Sequence, residues 1–207
     1  MSVPASNPSP VHVYFDPNAL KPGDIIGFSG EGLIGDLINI GTWGIPRWNI
    51  CHVGIVGEAL DGRQLLFEST TLDDLPCEIT GVKFDGTQAH DLDTVVKRYR
   101  GRVWRYPLYR TLYEFERRRL TDFLMGTIHV PYSKMEALHA ADFMGLSLFE
   151  SMLGETHLHH LFCSGWVAAM YAYLGLWPTC NAGSWNPNHL VRYLRRRGIV
   201  YRPRRMK

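Results

Sequence analysis

The chain predicts an α+β fold, on three observations. Short apolar segments of strand length cluster in its first half, segments with helical periodicity dominate its second half, and nothing between them reads as a linker joining independent domains. With 207 residues, 45% of them hydrophobic and 12% aromatic, the sequence can bury a sizeable core. One domain over residues 20–200 is expected, between a flexible segment 1–19 rich in Pro, Ser and Asn and a basic tail 201–207.

The elements follow in order. Lys21-Pro22-Gly23-Asp24 reads as a turn into a short apolar strand at 25–28, and residues 33–40 as a short helix bounded by Gly32 and Gly41. A Trp-rich loop, 41–49, comes next. Residues 52–57 and 64–69 are strands joined across Asp61-Gly62, and 101–106 is a further strand. Residues 112–125 put Leu112, Phe115, Leu120, Phe123 and Leu124 on one broad face, and 164–174 and 187–197 form two more helical segments. The expected architecture is therefore a helix cluster packed on an antiparallel sheet.

Charge is unevenly placed. The formal net charge is +2, but residues 192–207 hold seven Arg and one Lys with no acid, so the remainder of the chain is net acidic. This basic arm suits nucleic acid or another acidic partner, or else it is a solvated helix end, with Arg195, Arg196 and Arg197 at the negative pole of the helix dipole, followed by a frayed tail. Residues 1–19 contain no apolar run of the length a signal peptide or membrane span needs, so a cytoplasmic protein without a transmembrane segment is expected. Cysteines at 51, 77, 163 and 180 show no paired metal spacing and suit reduced thiols.

The chemistry rests on Cys163 and His52. Apolar Val167, Met170, Tyr171 and Leu174 follow Cys163 at offsets of four, seven, eight and eleven, which places the cysteine in the first turn of an amphipathic helix. A free thiol is only a few per cent thiolate at neutral pH, and a helix N-terminus beside an imidazole lowers its pKa and supplies an acid and a base. Cys51 adjoins His52, but neighbouring strand residues point to opposite faces, so it is expected to be a core thiol.

Five stretches together carry a resemblance. Phe162-Cys163-Ser164-Gly165-Trp166-Val167, with Met170-Tyr171 and Leu174-Gly175-Leu176, is similar to the nucleophile helix of the NlpC-type cell-wall peptidases of the papain-like superfamily. The run 123–133, FLMGTIHVPYS, resembles the helix end and turn that precede the cysteine in that family. The histidine precedes the cysteine here, which resembles the circularly permuted branch containing the YiiX/YaeF-like proteins and the lecithin:retinol acyltransferase-like enzymes. Residues 20–28 and 185–190 fit that branch as well. The resemblance implies a circularly permuted papain-like fold and cleavage of a peptide, isopeptide or other amide, or an ester, through a Cys163 thioacyl-enzyme, without a cofactor.

It also implies the rest of the site. Glu68, in Phe67-Glu68-Ser69-Thr70, occupies the place of the family's third polar residue, which would orient the His52 imidazole; Asp24 and Asn49 are the next candidates. A two-residue turn at Asp61-Gly62 would pair Glu68 with Ile55 and turn it away from His52, so the assignment requires an odd-length loop or a bulge. Without that, Glu68 is an exposed or salt-bridged edge residue. Tyr132 resembles the tyrosine bordering the nucleophile, and with Ser164 it is a candidate for oxyanion or substrate positioning. His157, His159 and His160 with Cys163 lack a further ligand at metal spacing and read as loop residues rather than a metal site. The Trp43-to-Trp48 loop and the apolar run 143–153 could grip an acyl-lipid or peptide substrate, or be ordinary core. Two other classes stay open: a lipid acyltransferase or thioesterase, and a catalytically idle binding or virion component using the basic tail.

Overall fold

The computed structural model describes residues 19–30, 50–70, 74–131, 162–177 and 185–207. The expected helix at 33–40, the Trp-rich loop and the apolar run 143–153 lie outside them. The described chain forms six strands, β1 (Ile25–Gly30), β2 (His52–Glu58), β3 (Gln64–Thr70), β4 (Gly86–His90), β5 (Gly101–Tyr106) and β6 (Arg204–Arg205). Four helices accompany them: α1 (Leu92–Arg98), α2 (Glu114–Gly126), α3 (Phe162–Tyr173) and α4 (Pro187–Arg196). Every strand pair is antiparallel, in the order β4-β3-β2-β1-β5-β6. The chain is thus α+β with a single described sheet.

Alternation along the strands builds two cores of unequal size. Ile25, Val53, Ile55, Leu65 and Phe67 face one side, where they meet Leu120 and Leu124 of α2, Val167, Met170 and Tyr171 of α3, and Leu190 and Leu194 of α4. Ile26, Phe28, Val56, Leu66 and Val103 face the other side, where Leu92 and Val95 of α1 cover them. Both faces of β1 are therefore buried, which accounts for its unbroken apolar start. Gly57 lets α2 approach β2 closely, because a Cβ there would lie 2.2 Å from Leu124 Cδ1.

Four expectations are corrected. Helix α2 begins at Glu114 rather than at residue 112, because the Glu116 carboxylate accepts the Tyr113 N–H at 2.8 Å and caps the first turn there. Its buried residues are Glu116, Leu120, Phe123 and Leu124, spaced as one helical stripe, and Phe115 falls outside that stripe at 60% exposure. Helix α3 is not amphipathic, since every residue from Cys163 to Tyr171 is buried between the sheet, α2 and α4. Nor is the basic end a frayed tail. Arg204 and Arg205 pair with Arg105 and Trp104 as the outer strand, and Lys207 Nζ donates to the carbonyls of Val96, Lys97 and Tyr99 at 2.8–3.1 Å, capping the C-terminus of α1.

Strand β4 and helix α1 escaped the sequence reading. Gly86-Thr87-Gln88-Ala89-His90 has no apolar alternation, yet all five residues are buried, because β3 pairs along one side and residues 128–131 cover the other through Thr87. Among the described residues no helix is long and apolar enough to cross a membrane.

A buried ion pair ties the first turn to β5. Arg105 Nε donates to Asp24 Oδ2 at 2.7 Å, while Asp24 Oδ1 accepts the Leu108 N–H at 2.8 Å and Oδ2 accepts the Lys21 N–H at 3.0 Å. Asp24 is fully buried, and burial holds its pKa above the usual carboxylate value despite the Leu108 N–H and the Arg105 guanidinium. Asp24→Ala strands the Arg105 charge inside the fold, so urea unfolding should show a loss of about 3–5 kcal/mol. An unchanged midpoint would mean that water replaces the carboxylate.

Candidate functional site

The site begins with the register of one hairpin. Five residues, 59–63, join β2 and β3, closed by Ala59 N–H to the Arg63 carbonyl and Gly62 N–H to the Ala59 carbonyl, both at 2.9 Å. The odd length pairs Glu58 with Gln64 and Gly54 with Glu68. The two-residue turn is thereby replaced, and the condition on Glu68 is met. Glu68 stands diagonally from His52 on the same face of the sheet, within reach of a long side chain.

Gly54 leaves the space for that diagonal. A Cβ at this position would lie 2.7 Å from Leu66 Cδ1 and 2.9 Å from the Phe67 carbonyl. His52 Nε2 consequently reaches Glu68 Oε2 at 2.6 Å, and the Phe28 ring lies against the imidazole at a centroid distance of 5.4 Å. Glu68 is 3% exposed, and its second oxygen, Oε1, lies 2.9 Å from His90 Nδ1. The register explains this contact too: His90 stands opposite Leu66, two residues along β3 and on the same face.

Cys163 meets this row from the first turn of α3. His52 acts on its sulfur by charge and by hydrogen bonding, and so does the backbone at Val53 and Ser164, all three favouring the thiolate. With Nε2 engaged by Glu68, Nδ1 is the nitrogen left for the thiol. Cysteine, imidazole and carboxylate are thus arranged in series, from three elements far apart in sequence.

Electrostatics follow from that series. Burial alone would raise the Cys163 pKa, but the His52 charge, the His52 hydrogen bond and the two backbone donors bring it below the usual thiol value. For His52, burial disfavours the charged form, and the Cys163 charge and hydrogen bond together with those of Glu68 overcome it, raising its pKa well above the usual value. Burial likewise works against the Glu68 anion, yet hydrogen bonds from His52 and His90 and their charges lower its pKa to about 2. All three shifts run toward the charged forms, thiolate, imidazolium and carboxylate.

The other candidates separate. Asp24 is committed to Arg105 and takes no part in the series. The Ser164 hydroxyl donates to the Trp185 carbonyl, so it fastens the approach to α4 rather than facing an acyl group; its contribution to the sulfur is its backbone N–H. Cys51 Sγ donates to the Phe28 carbonyl at 3.2 Å and lies 3.6 Å from the Tyr99 hydroxyl, away from Cys163. Cys77 is a second thiol with a lowered pKa. Although burial opposes it, donors from Ala89, Ile79 and Thr80 lower its pKa. Tyr132, Asn49, Cys180, His157, His159 and His160 lie outside the described residues.

His90 was missed in the sequence. A signal was present in Asp91-Leu92-Asp93-Thr94, where the Asp91 carboxylate accepts the Thr94 N–H at 2.8 Å as a helix N-cap. Recognising that cap would have made residues 86–90 the segment leading into a helix and put His90 at a strand end. No protein-family model matches the chain, and no curated protein matches it.

The depressed Glu68 pKa sets a pH dependence. Its folded value of about 2 lies below the usual 4.5, so its contribution to stability is complete above pH 4.5 and is lost as pH falls toward 2. The urea midpoint of the wild-type chain should drop across that window, and Glu68→Gln should flatten the drop. An equally steep fall in the variant would assign the acid sensitivity to other carboxylates.

Proposed function

We propose that the chain is a cysteine hydrolase of circularly permuted papain-like type, cleaving an amide or ester through a Cys163 thioacyl-enzyme. The observation that carries this reading is the series Cys163, His52, Glu68, with Glu68 Oε2 2.6 Å from His52 Nε2 and His52 lowering the Cys163 pKa by its charge and hydrogen bond. A core thiol needs no charged partner, and a buried carboxylate–imidazole pair costs stability unless it holds something in place. The order of the groups along the chain, histidine before cysteine, supports the permuted branch, and the antiparallel sheet beside a buried nucleophile helix is compatible with it.

The mechanism follows from the protonation states. The Cys163 thiolate attacks the carbonyl carbon, and the oxygen takes up the electron pair facing the backbone N–H groups at the start of α3. His52 then gives its proton to the departing amine or alcohol as the carbon–heteroatom bond breaks, leaving a thioester. Water enters, His52 takes its proton, and hydroxide addition releases the acid and restores the thiolate. Glu68 holds the imidazole in register and stabilises its positive charge throughout.

A panel of peptide, γ-linked amide and ester substrates tests this reading. Cys163→Ala should abolish turnover by on the order of 10³-fold or more, and His52→Ala should lower it by about 10²–10⁴-fold. The pH profile should be bell-shaped, since activity needs Cys163 deprotonated and His52 protonated: it rises through the lowered thiol pKa and falls through the raised imidazole pKa. Absence of any Cys163-dependent turnover across the panel would favour a binding component instead.

A second test needs no substrate. Near pH 6, limiting iodoacetamide should alkylate Cys163 before the other three cysteines, because His52 favours the Cys163 thiolate, while Cys77, also depressed, is fully buried. Peptide mapping reads the order. Preferential labelling of Cys77 would overturn the thiolate–imidazolium pair.

A further inference from the structure

His90 takes no part in the acyl transfer described above, yet it is 1% exposed and its Nδ1 lies 2.9 Å from Glu68 Oε1. A carboxylate held through one oxygen can turn about its terminal torsion, which is broad and roughly two-fold. Glu68 is held through both. His52 engages Oε2 and His90 engages Oε1, so the carboxylate plane is set from the β2 side and the β4 side together. Because Glu68 is an acceptor with no proton to give, the hydrogen of the second bond resides on His90 Nδ1.

We infer that His90 is a positioning residue of the site, donating from Nδ1 to lock Glu68 in the orientation that presents Oε2 to His52. The inference rests on the cysteine-hydrolase reading for its purpose and on the β3–β4 register for its geometry. On the same face Gln88 stands opposite Glu68 at 1% exposure, its Oε1 accepting the Phe84 N–H at 3.3 Å, and the buried Thr70 follows two residues along β3. Glu68 comes from β3 and His52 from β2; α1 covers the same face with Leu92 and Val95, while its Asp93, Lys97 and Arg98 are exposed. Asp91 is committed to Thr94, and the Tyr99 hydroxyl faces Cys51. The consequence runs through the row. Without the His90 donor, the buried Glu68 takes up a proton more readily, a neutral Glu68 no longer supports the His52 charge, and the Cys163 thiolate loses its counter-ion at a higher pH.

The experiment is the pH profile of Cys163 alkylation by iodoacetamide in the full chain, read by peptide mapping, for wild type, His90→Leu and His90→Asn. In His90→Leu the acid limb should move up by about one pH unit, a tenfold loss of thiolate at a fixed acid pH. In His90→Asn, whose amide places a donor near the position of Nδ1, the limb should return most of the way to wild type. A general structural role would lower the unfolding midpoint of both variants without this split. A limb that stays in place in folded His90→Leu, or that moves equally in His90→Asn, overturns the inference while leaving the dyad intact. A wild-type Cys163 silent below pH 7 overturns the dyad itself and the role of His90 with it. Should His90→Leu fail to fold, ¹⁵N–¹H correlation of the wild-type imidazoles decides: a proton on His90 Nδ1 whose signal shifts in Glu68→Gln supports the inference, and an unprotonated Nδ1 overturns it.

Discussion

The carboxylate of Glu68 is buried in a sheet with histidines on either side, and the rest of the site depends on keeping it charged. An ion in that position costs several kcal/mol unless its oxygens are occupied. His52 and His90 occupy them, at 2.6 and 2.9 Å. The anion in turn favours a proton on His52 despite burial, and a protonated ring favours its loss from Cys163. Each charge is tolerable only because the next is present, so removing one member alters the protonation of the others.

Backbone geometry makes that row possible. The side-chain period of a strand is two, and one residue more or less in the β2–β3 loop would have turned Glu68 to the opposite face, among Ile55 and Phe67. The five-residue loop sets the parity, and Gly54 keeps the space opposite Glu68 clear. The same parity, carried across β3 to β4, puts His90 in line. Side chains from three strands meet on one face because of hydrogen-bond register, which local propensity does not specify.

The surrounding fold holds this register against shear. Asp24 and Arg105 join the first turn to β5 inside the core, and the Tyr171 hydroxyl of α3 donates to the Gly23 carbonyl at 2.6 Å, fastening the helix that carries Cys163 to the same turn. Helix α3 is buried on all sides, which fixes its axis and therefore the place of its first turn. The basic terminus contributes as well, closing the far edge of the sheet and capping α1. Its charge, which in isolation suggests a partner, is in part spent on the fold.

Much of this was legible in the residues themselves. Strands over 25–28, 52–57, 64–69 and 101–106, each within a strand of the structure, the three longer helices and the first-turn position of Cys163 follow from period and turn chemistry, which act over a few residues and are written in local order. Strand β4 was not legible, because its burial comes from neighbours on both sides rather than from its own apolarity. Helix α3 read as amphipathic because its sequence cannot tell how many partners surround it. Glu68 was a candidate on position alone, with the parity of a loop undecided, and His90 was not seen at all. By itself the sequence determined which side chains could do chemistry and on which local elements they ride. Tertiary structure decided which of them meet, because strand register and helix packing are set by contacts between residues distant along the chain.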